Sequence, residues 1–371
     1  MKLTIAQDSL CTSLGVVGRL ASGRSTLPVL ANVLLQATDE GLLRLSATDL
    51  ELGVTCTVNC QVETPGAISV LARTLADLIA TFPREPVCLN LNKPNLSLEV
   101  TSGSSKASLK GISAEEFPPL PELEESPCLQ VPAGEFKAVV QRVVFAASSD
   151  QSRPILNGVL IVAEGRALTL AAADGFRLSE SKIFLESPVA EPKRCVVPAR
   201  SMVELAHVAT DTGYLTISLP ARCGQIVFRL PGIELVSQLI EGSFPDYQPI
   251  VPQKYTTRLT VSTALLLKAS RQAEIFARQN GKMARLVVKP GQVEVIGQSE
   301  ETGLTSSKVD ASIEGGNLEI GFNVLYLREA LSAIRTPTVT LEATTSTSPG
   351  VFRPAGEDGF LHVLMPRHLS E

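Results

Sequence analysis

The chain repeats itself, and this internal repeat limits the possible folds more than any other feature of the sequence. Segments with a matching apolar pattern open at positions 3–5, 129–131 and 259–261, so the two intervals between them are nearly equal. In each segment the apolar side chains that follow recur three or four residues apart, which is one face of an amphipathic helix. Self-similarity at a nearly fixed period is the signature of a chain built from copies of one structural unit.

Further segments keep the same spacing. Three pairs match at almost the same offset as the first two copies: 28–34 with 154–160, 47–49 with 172–174, and 117–118 with 244–245. A shorter period relates the Val-Pro-Ala motifs at 131–133 and 197–199, each of which leads into a predicted helix. Each unit is therefore expected to contain two copies of a strand, a helix and several strands. The alternative is a chance resemblance between amphipathic segments, and the shared offset argues against it.

These patterns predict an α+β protein of three repeated domains, each with two helices on antiparallel sheets. Strand segments alternate apolar and polar residues, as in 43–46 and 89–92, and turn signals such as 39–41 and 163–165 separate them. The predicted domains, divided at proline-rich stretches, are 1–124, 125–252 and 253–371. The predicted helices are 7–21, 72–82, 133–147, 199–209, 263–279 and 323–335.

The net charge of −5 argues at first against nucleic acid as a partner. The charge is unevenly distributed, however, because the predicted helices carry ten basic and six acidic residues, a net +4, while the remainder carries −9. If the helices share one side of the repeat array, that side is positive and attracts phosphate without reading a base sequence. Ordinary solvated lysine and arginine on helix surfaces explain the same count, so the asymmetry alone leaves both interpretations open.

Several classes of function lack their sequence motifs. The chain has no G-x-G-x-x-G, G-x-x-x-x-G-K-[ST], H-E-x-x-H or G-x-S-x-G pattern. Three histidines and seven scattered cysteines, of which Cys56 and Cys60 are the nearest pair, predict no metal site and no cofactor. We therefore expect a protein without catalytic activity. Aromatic residues make up 4% of the chain, which is also too few for a surface that stacks bases.

The sequence also indicates a location. It contains no run of about 18 apolar residues that would span a membrane. Its first residues lack the apolar stretch of a signal peptide. We therefore expect a cytoplasmic protein whose cysteines stay reduced.

Several short motifs, taken in order over the whole length, resemble those of one family, the bacterial sliding clamp or beta subunit of DNA polymerase III. The motifs are RSTLPVL at 24–30, ATDLE at 47–51, LNG at 156–158, ADGFRL at 173–178, FPDY at 244–247, IGFN at 320–323 and VLMP at 363–366. The resemblance implies a homodimer of three-domain subunits, joined head to tail into a ring with a helical inner wall. It also implies a processivity factor that encircles double-stranded DNA and is opened by a separate clamp loader.

The resemblance implies DNA contacts that do not depend on base sequence. They carry over to Arg24, Arg73, Arg200 and the loop that ends at Arg153, and Lys137 and Arg142 join them as basic residues of a predicted helix. Asp150 in that loop departs from the expected pattern, because an acidic side chain repels phosphate.

A second implied site is a cleft between the second and third domains, where polymerases, the clamp loader and repair proteins insert a short peptide. The matching residues are Leu156, Ala173, Gly175, Phe176, Arg177, Leu178, Pro245, Ile250, Tyr326, Val363, Met365, Pro366 and Arg367. Their apolar side chains suit a groove, and Arg177 with nearby backbone is expected to orient a peptide. Taken singly, each apolar member fits a core position equally well. Phe176 replaces a histidine common in the family, and Pro249 stands where a basic residue is frequent.

The implied dimer interface joins the first domain of one subunit to the third domain of the other. The matching positions are Lys106, Ala107, Ser108 and Leu109 on one side and Ile275 and Phe276 on the other, with Glu300 and Glu301 expected to pair with Lys106. The family often carries an aromatic residue where Ala107 stands.

The sequence is also compatible with two other classes of protein. One is a repeat scaffold that binds only proteins, and retention on a closed DNA circle would distinguish a clamp from it. The other is a hydrolase with a non-standard site, which would require an aspartate, glutamate or serine whose mutation abolishes activity.

Overall fold

The computed structural model describes residues 1–21, 27–119, 128–218, 224–278 and 281–368. The helices in these ranges are α1 (Gln7–Val17), α2 (Ala72–Thr81), α3 (Ala133–Val143), α4 (Ala199–Val208), α5 (Thr263–Ala277) and α6 (Val324–Ala333). Each coincides with one predicted helix, so the helical positions inferred from the repeat are confirmed. Within the described part of the chain, no helix is long and apolar enough to cross a membrane.

Two of the predicted helices are too long. α1 ends at Val17 and is followed by Gly18, a residue type with low helix propensity. α3 gives way after Val143 to a 3-10 turn over Val144–Ala146, and Ala147 is extended. Apolar spacing continues across both ends, because it reports which side chains face the core and not where helical hydrogen bonding stops.

The strands of the described ranges pair antiparallel throughout. The first nine are β1 (Lys2–Ala6), β2 (Asn32–Ala37), β3 (Leu42–Thr48), β4 (Leu52–Asn59), β5 (Gln61–Thr64), β6 (Gly66–Leu71), β7 (Pro86–Asn92), β8 (Ser97–Ser102) and β9 (Ser105–Ile112). Next come β10 (Cys128–Pro132), β11 (Gly158–Glu164), β12 (Ala167–Ala173), β13 (Arg177–Phe184), β14 (Lys193–Pro198), β15 (Tyr214–Ser218), β16 (Gln225–Leu230) and β17 (Ile233–Gln238). The last are β18 (Thr257–Ser262), β19 (Met283–Lys289), β20 (Gln292–Ser299), β21 (Gly303–Gly315), β22 (Leu318–Asn323), β23 (Thr338–Ala343), β24 (Gly350–Pro354) and β25 (Phe360–Leu364).

The chain forms two compact units. Unit 1 comprises Met1–Ala133 and His207–Leu239, and unit 2 comprises Gly134–Ala206 and Ile240–Glu371. Both units include part of the predicted middle domain, so the boundaries at 124 and 252 stay a prediction.

Unit 1 contains one sheet of thirteen strands in the order β10-β15-β16-β17-β4-β3-β2-β6-β9-β8-β7-β1-β5. α1 contacts β3, β4 and α2. Its side chains Leu10, Leu14 and Val17 are fully buried, as the apolar spacing predicts. The apolar face of this amphipathic helix is therefore part of the core of the unit.

Unit 2 contains a sheet of twelve strands in the order β14-β11-β12-β13-β25-β24-β23-β18-β21-β20-β19-β22. α5 lies on β20 and β21 and packs against α6. Leu266 and Ala273 of α5 belong to the same buried cluster as Leu327 and Leu331 of α6. The short alanine side chain lets the helix approach the sheet closely.

One turn shows the repeat at the level of single hydrogen bonds. The Oδ1 atoms of Asp49 and of Asp174 each accept hydrogen bonds from the backbone N–H groups two and three residues on. The next residue has a positive φ in both copies, 79° at Leu50 and 92° at Gly175. An Asp-Gly pair such as Asp174-Gly175 favours a turn, and the first repeat makes the same turn with Leu50 in the left-handed region.

A substitution at Gly297 of β20 can test how closely α5 packs against its sheet. A Cβ atom at this position would lie 2.3 Å from the carbonyl oxygen of Ala273, and helix backbone cannot move aside as a flexible side chain does. We expect Gly297→Ala to lower the free energy of unfolding by about 1–3 kcal/mol. Gly15→Ala is the matched control, because nothing lies within 4 Å of its added Cβ on α1. Urea denaturation followed by circular dichroism compares them, and an unchanged midpoint for Gly297→Ala would contradict the packing.

Candidate functional site

An open pocket of about 420 Å³ lies in unit 2, where the chain after β25 passes the start of α6. It is lined by Phe176, Asn323, Tyr326, Met365, Pro366, Arg367 and His368. Five of these seven belong to the predicted peptide cleft. The sequence prediction missed Asn323 and His368, although Asn323 carries a recognisable signal: its side chain caps α6 by accepting a hydrogen bond from the Leu325 N–H at 3.0 Å.

Backbone hydrogen bonds fix the walls of this pocket. The Met365 N–H donates to the Phe176 carbonyl at 2.9 Å, and the Arg367 N–H donates to the Gly321 carbonyl at 2.8 Å. The Arg367 guanidinium also donates to the Gly281 carbonyl at 3.0 Å. The segment after β25 is thus held on both sides while the Phe176 side chain stays 65% exposed.

Four other predicted cleft residues join a separate apolar cluster of unit 2. Leu156, Ala173, Leu178 and Val363 pack there with Phe244, Tyr247 and Val251 from the segment that leads to β18. Leu156, Leu178 and Val363 are buried, so in this structure they occupy core positions. Pro245 and Ile250 remain exposed beside them, Ile250 at 49%.

The buried carboxylate of Glu180 lies beside this apolar cluster. The Tyr247 hydroxyl donates to a carboxylate oxygen of Glu180 at 2.5 Å, and Lys182 lies 3.1 Å from the other oxygen. Burial, reinforced by the Glu180 carboxylate, raises the pKa of Tyr247 above its usual range. Tyr247 therefore stays a hydrogen-bond donor and ties the 240–251 segment to β13.

Arg177, expected to orient a peptide, is occupied by the protein itself. Its Nε lies 3.0 Å from the Asp174 carboxylate, its Nη2 donates to the Phe145 carbonyl at 2.7 Å, and its Nη1 donates to Glu329. The guanidinium carbon lies 4.1 Å from the centre of the Tyr326 ring. The side chain is only 8% exposed, so its direct contact with a peptide stays a prediction.

His362 is a buried polar residue of β25 that sequence reasoning did not single out. Its Nδ1 is 2.7 Å from the Ser179 hydroxyl, and its ring stacks on Phe145 at 5.6 Å. Within the described residues its Nε2 has no hydrogen-bond partner. Burial, together with the positive charge of Arg177, lowers the pKa of His362 to about 3.

The residues expected to contact DNA differ in their surroundings. Arg73 of unit 1 is 92% exposed and lies 3.8 Å from Asp77. Arg153 and Arg200 of unit 2 are also exposed, whereas Lys137 is half-buried. Arg24 lies outside the described residues.

Arg142 is placed less suitably for DNA than the sequence suggests. Its side chain is 15% exposed, pairs with Glu357 at 2.5 Å and lies over the Phe360 ring. A guanidinium already neutralised by a carboxylate is a poor phosphate ligand, so Arg142 is not among the proposed DNA contacts.

Asp150 departs from the expected pattern in a way that the structure explains. Both of its carboxylate oxygens accept hydrogen bonds from Ser152, one from the backbone N–H at 2.9 Å and one from the hydroxyl at 2.8 Å. These hydrogen bonds lower the pKa of the Asp150 carboxyl. Its side chain therefore shapes its own loop.

The predicted dimer residues lie on one strand, one helix and one turn. Lys106 to Leu109 belong to β9, where Lys106 is exposed and Leu109 is 8% exposed. Ile275 of α5 is 67% exposed and Phe276 is half-buried. Glu300 and Glu301, exposed in the turn that leads into β21, complete the set.

Comparisons with known proteins cover the whole chain. Models of the DNA polymerase III beta subunit match in succession, the N-terminal domain over residues 1–121, the central domain over 130–246 and the C-terminal domain over 248–368. A beta sliding clamp of Synechococcus elongatus is 34% identical over 378 residues and covers 100% of both chains. A beta sliding clamp of Staphylococcus aureus is 28% identical and covers 99% of both.

Solved structures match equally completely. The DNA polymerase sliding clamp of Bacillus subtilis has a TM-score of 0.94 at 27% identity, over 100% of both chains. A sliding clamp of Pseudomonas aeruginosa bound to griselimycin has a TM-score of 0.94 at 29% identity, again over 100% of both chains. With the helices and antiparallel sheets described above, these matches confirm the predicted α+β fold of three repeated domains.

The pKa of His362 predicts how stability changes with pH. At pH values between its ordinary pKa of 6.5 and its folded pKa of about 3, His362 is protonated in the unfolded chain but stays neutral in the folded protein. Stability therefore falls as the pH drops through this window, by at most about 1.4 kcal/mol per pH unit. His362→Gln keeps a hydrogen-bonding group beside Ser179 and cannot be protonated, so we expect a shallower fall. Urea midpoints at pH 7 and pH 5 measure the effect, and identical pH dependence in both proteins would refute it.

Proposed function

The chain belongs to the family of the DNA polymerase III beta subunit, the bacterial DNA sliding clamps, and on that premise we propose that two copies close into a ring around double-stranded DNA. It is a non-catalytic processivity factor. We also propose that it acts in the cytoplasm, and we propose residues for ring closure, for DNA contact and for partner binding. The proposed domains of the chain are 1–124, 125–252 and 253–371.

The observation that supports ring closure is a series of equivalent strands. β4, β13 and β21 begin at nearly equal intervals, at positions 52, 177 and 303, and so do β9, β17 and β25, at positions 105, 233 and 360. β4 pairs with β17 and β13 pairs with β25, so a strand of one repeat joins the last strand of the next repeat. β21 of the last repeat and β9 of the first are left over. The same rule pairs β21 of one copy with β9 of another, which is a head-to-tail joint.

Both remaining strands have an edge available for this joint. Residues 105–110 of β9 pair with β8 on one side, while β6 reaches only residues 111 and 112 on the other. Residues 303–310 of β21 pair with β20 on one side, while β18 reaches only residues 311–315. Within the described strands nothing covers the second edge of either segment. Long unpaired edges are normally protected in soluble proteins, and pairing with another copy protects both.

Side chains near these edges suit each other. Lys106 and Lys110 are exposed on β9, and Glu300 and Glu301 are exposed beside β21. Apolar surface accompanies the charges, since Leu304 and Ile275 are 57% and 67% exposed. Different surfaces meet in such a heterologous contact, and two copies form a closed ring if the rotation between them closes.

The proposed DNA contacts are phosphate contacts made by Arg24, Arg73, Lys137, Arg153 and Arg200. Long basic side chains hold phosphate without reading bases, so the contacts move readily along the duplex. Retention then depends on the topology of the closed ring. A tethered polymerase stays at a high effective concentration near its primer end, which raises avidity without new base contacts. Opening the ring is the work of a separate clamp loader.

The pocket of unit 2 is the proposed binding site for partner peptides. Phe176, Tyr326, Met365 and Pro366 offer apolar and aromatic surface, and Arg367 is a basic residue of the same lining. Such a concave surface suits the apolar side chains of a short peptide from a polymerase, a clamp loader or a repair protein. The Pseudomonas aeruginosa clamp that binds griselimycin is similar over the whole chain, so we propose that griselimycin binds here too.

Ring closure predicts the effect of a charge at the exposed end of α5. Ile275→Asp places a further carboxylate on the side of the proposed interface that already carries Glu300 and Glu301, so we expect dimers to become monomers at micromolar concentration. Leu265→Asp is the matched control, because Leu265 is 51% exposed at the opposite end of α5. Light scattering gives the mass in solution, and a monomeric wild-type protein at micromolar concentration would contradict the proposed ring.

DNA encirclement predicts retention that depends on topology. We expect the protein, loaded by a clamp loader onto a nicked circular plasmid, to stay bound during gel filtration and to leave after the circle is cut. Arg73→Ala combined with Arg200→Ala is expected to reduce loading at high salt without changing the mass of the dimer. Equal release from circular and linear DNA would favour the protein-binding scaffold instead.

A further inference from the structure

We propose that Arg177 is a positioning residue that sets the width of the unit 2 pocket by holding its two walls together. The inference rests on the proposed function of that pocket as a peptide-binding site. It assigns Arg177 a role different from direct peptide contact, because the guanidinium acts through Phe176 and Tyr326.

The first wall is fixed through the turn that precedes β13. Asp174 accepts hydrogen bonds from the backbone N–H groups of Phe176 and Arg177 at 2.8 and 3.0 Å, and its second oxygen lies 3.0 Å from Arg177 Nε. The turn therefore cannot rotate without breaking a buried ion pair. The Phe176 carbonyl in this turn accepts a hydrogen bond from the Met365 N–H, which fixes the backbone of Phe176 relative to that of Met365.

The second wall is fixed through α6. Tyr326 and Glu329 are three residues apart, so their side chains lie on the same face of the helix. Arg177 donates to the Glu329 carboxylate and stacks on the Tyr326 ring at 4.1 Å. One guanidinium thus contacts α6 at two points, one of them an aromatic ring that lines the pocket.

A third contact fixes the guanidinium itself. Its Nη2 donates to the Phe145 carbonyl at 2.7 Å, and the Phe145 ring lies 5.5 Å from the guanidinium carbon. All three guanidinium nitrogens of Arg177 already donate to protein atoms. A planar, five-donor group is needed for this arrangement, and a lysine ammonium has neither the plane nor the fork.

Three variants test the role of Arg177. Arg177→Lys keeps the charge and loses the geometry, and Glu329→Gln weakens only the contact to α6. Glu274→Gln is the matched control, since the buried Glu274 carboxylate pairs with Arg328 at 2.9 Å and with Arg278 at 3.0 Å and lies outside the pocket lining. Calorimetric titration with griselimycin measures affinity, and light scattering confirms that each variant keeps the mass of the wild-type protein.

A spectroscopic readout separates positioning from general loosening. The chain has 4 methionines, so methyl-labelled methionine gives a simple NMR spectrum in which Met365 reports on the pocket. Met202, buried in α4, and Met283 in β19 serve as internal references. If Arg177 positions the walls, Arg177→Lys and Glu329→Gln shift the Met365 signal and leave both references in place.

We expect Arg177→Lys and Glu329→Gln each to weaken griselimycin binding by about tenfold, with the double variant losing less than the sum of the two effects. Glu274→Gln is expected to bind as the wild-type protein does.

A folded Arg177→Lys protein with unchanged affinity and an unchanged Met365 signal overturns the proposal. So does an equal loss in Glu274→Gln. If Arg177→Lys does not fold, Glu329→Gln decides the matter by the same two measurements. If the wild-type protein itself fails to bind griselimycin, the proposed function of the pocket fails, and the Met365 signal still tests the positioning.

Discussion

Antiparallel pairing between strands of neighbouring repeats is the interaction on which the rest of the structure depends. Backbone hydrogen bonds join β4 to β17 in unit 1 and β13 to β25 in unit 2. They satisfy N–H and C=O groups that an isolated repeat would expose at its edges, and they extend each sheet across a repeat boundary. The middle repeat contributes strands to both sheets, which is why two compact units arise from three repeats.

The same pairing builds the pocket of unit 2. Because β13 and β25 are paired with Arg177 opposite Leu364, the turn before β13 lies beside the residues that follow β25. Phe176 and Met365 are thereby brought together, although they lie in different repeats and far apart along the chain. A buried arginine is costly unless its partners are well placed, and here two carboxylates, a carbonyl and two aromatic rings surround Arg177.

A clamp for DNA faces a physical conflict, because it must hold a polyanion and still slide along it. Many tight phosphate contacts would hold the DNA and stop the movement. The basic residues proposed here are few, and Arg73 even has Asp77 3.8 Å away. Holding the DNA by closure resolves the conflict, since topology limits escape while each contact stays weak. A net charge of −5 is then compatible with DNA binding.

The sequence by itself determined the repeat, the six helices, the strand alternation and the Asp174-Gly175 turn. All of these are local, because each follows from side-chain spacing or from the conformational preference of one or two residues. Helix ends were less predictable, as α1 and α3 show, since apolar spacing does not report where hydrogen bonding stops. Motif resemblance also supplied the family and five residues that line the pocket.

Tertiary structure decided how those residues are used. It buried Leu156, Leu178 and Val363 in a core cluster, turned Arg142 towards Glu357, and enclosed Arg177 among protein partners. It also placed His362 beside Ser179 and Phe145, a position that no local pattern signals. Sequence spacing fixes which face of an element a side chain occupies. Which distant element covers that face, and whether a charge there meets water or a buried partner, depends on long-range strand pairing that a single sequence does not display.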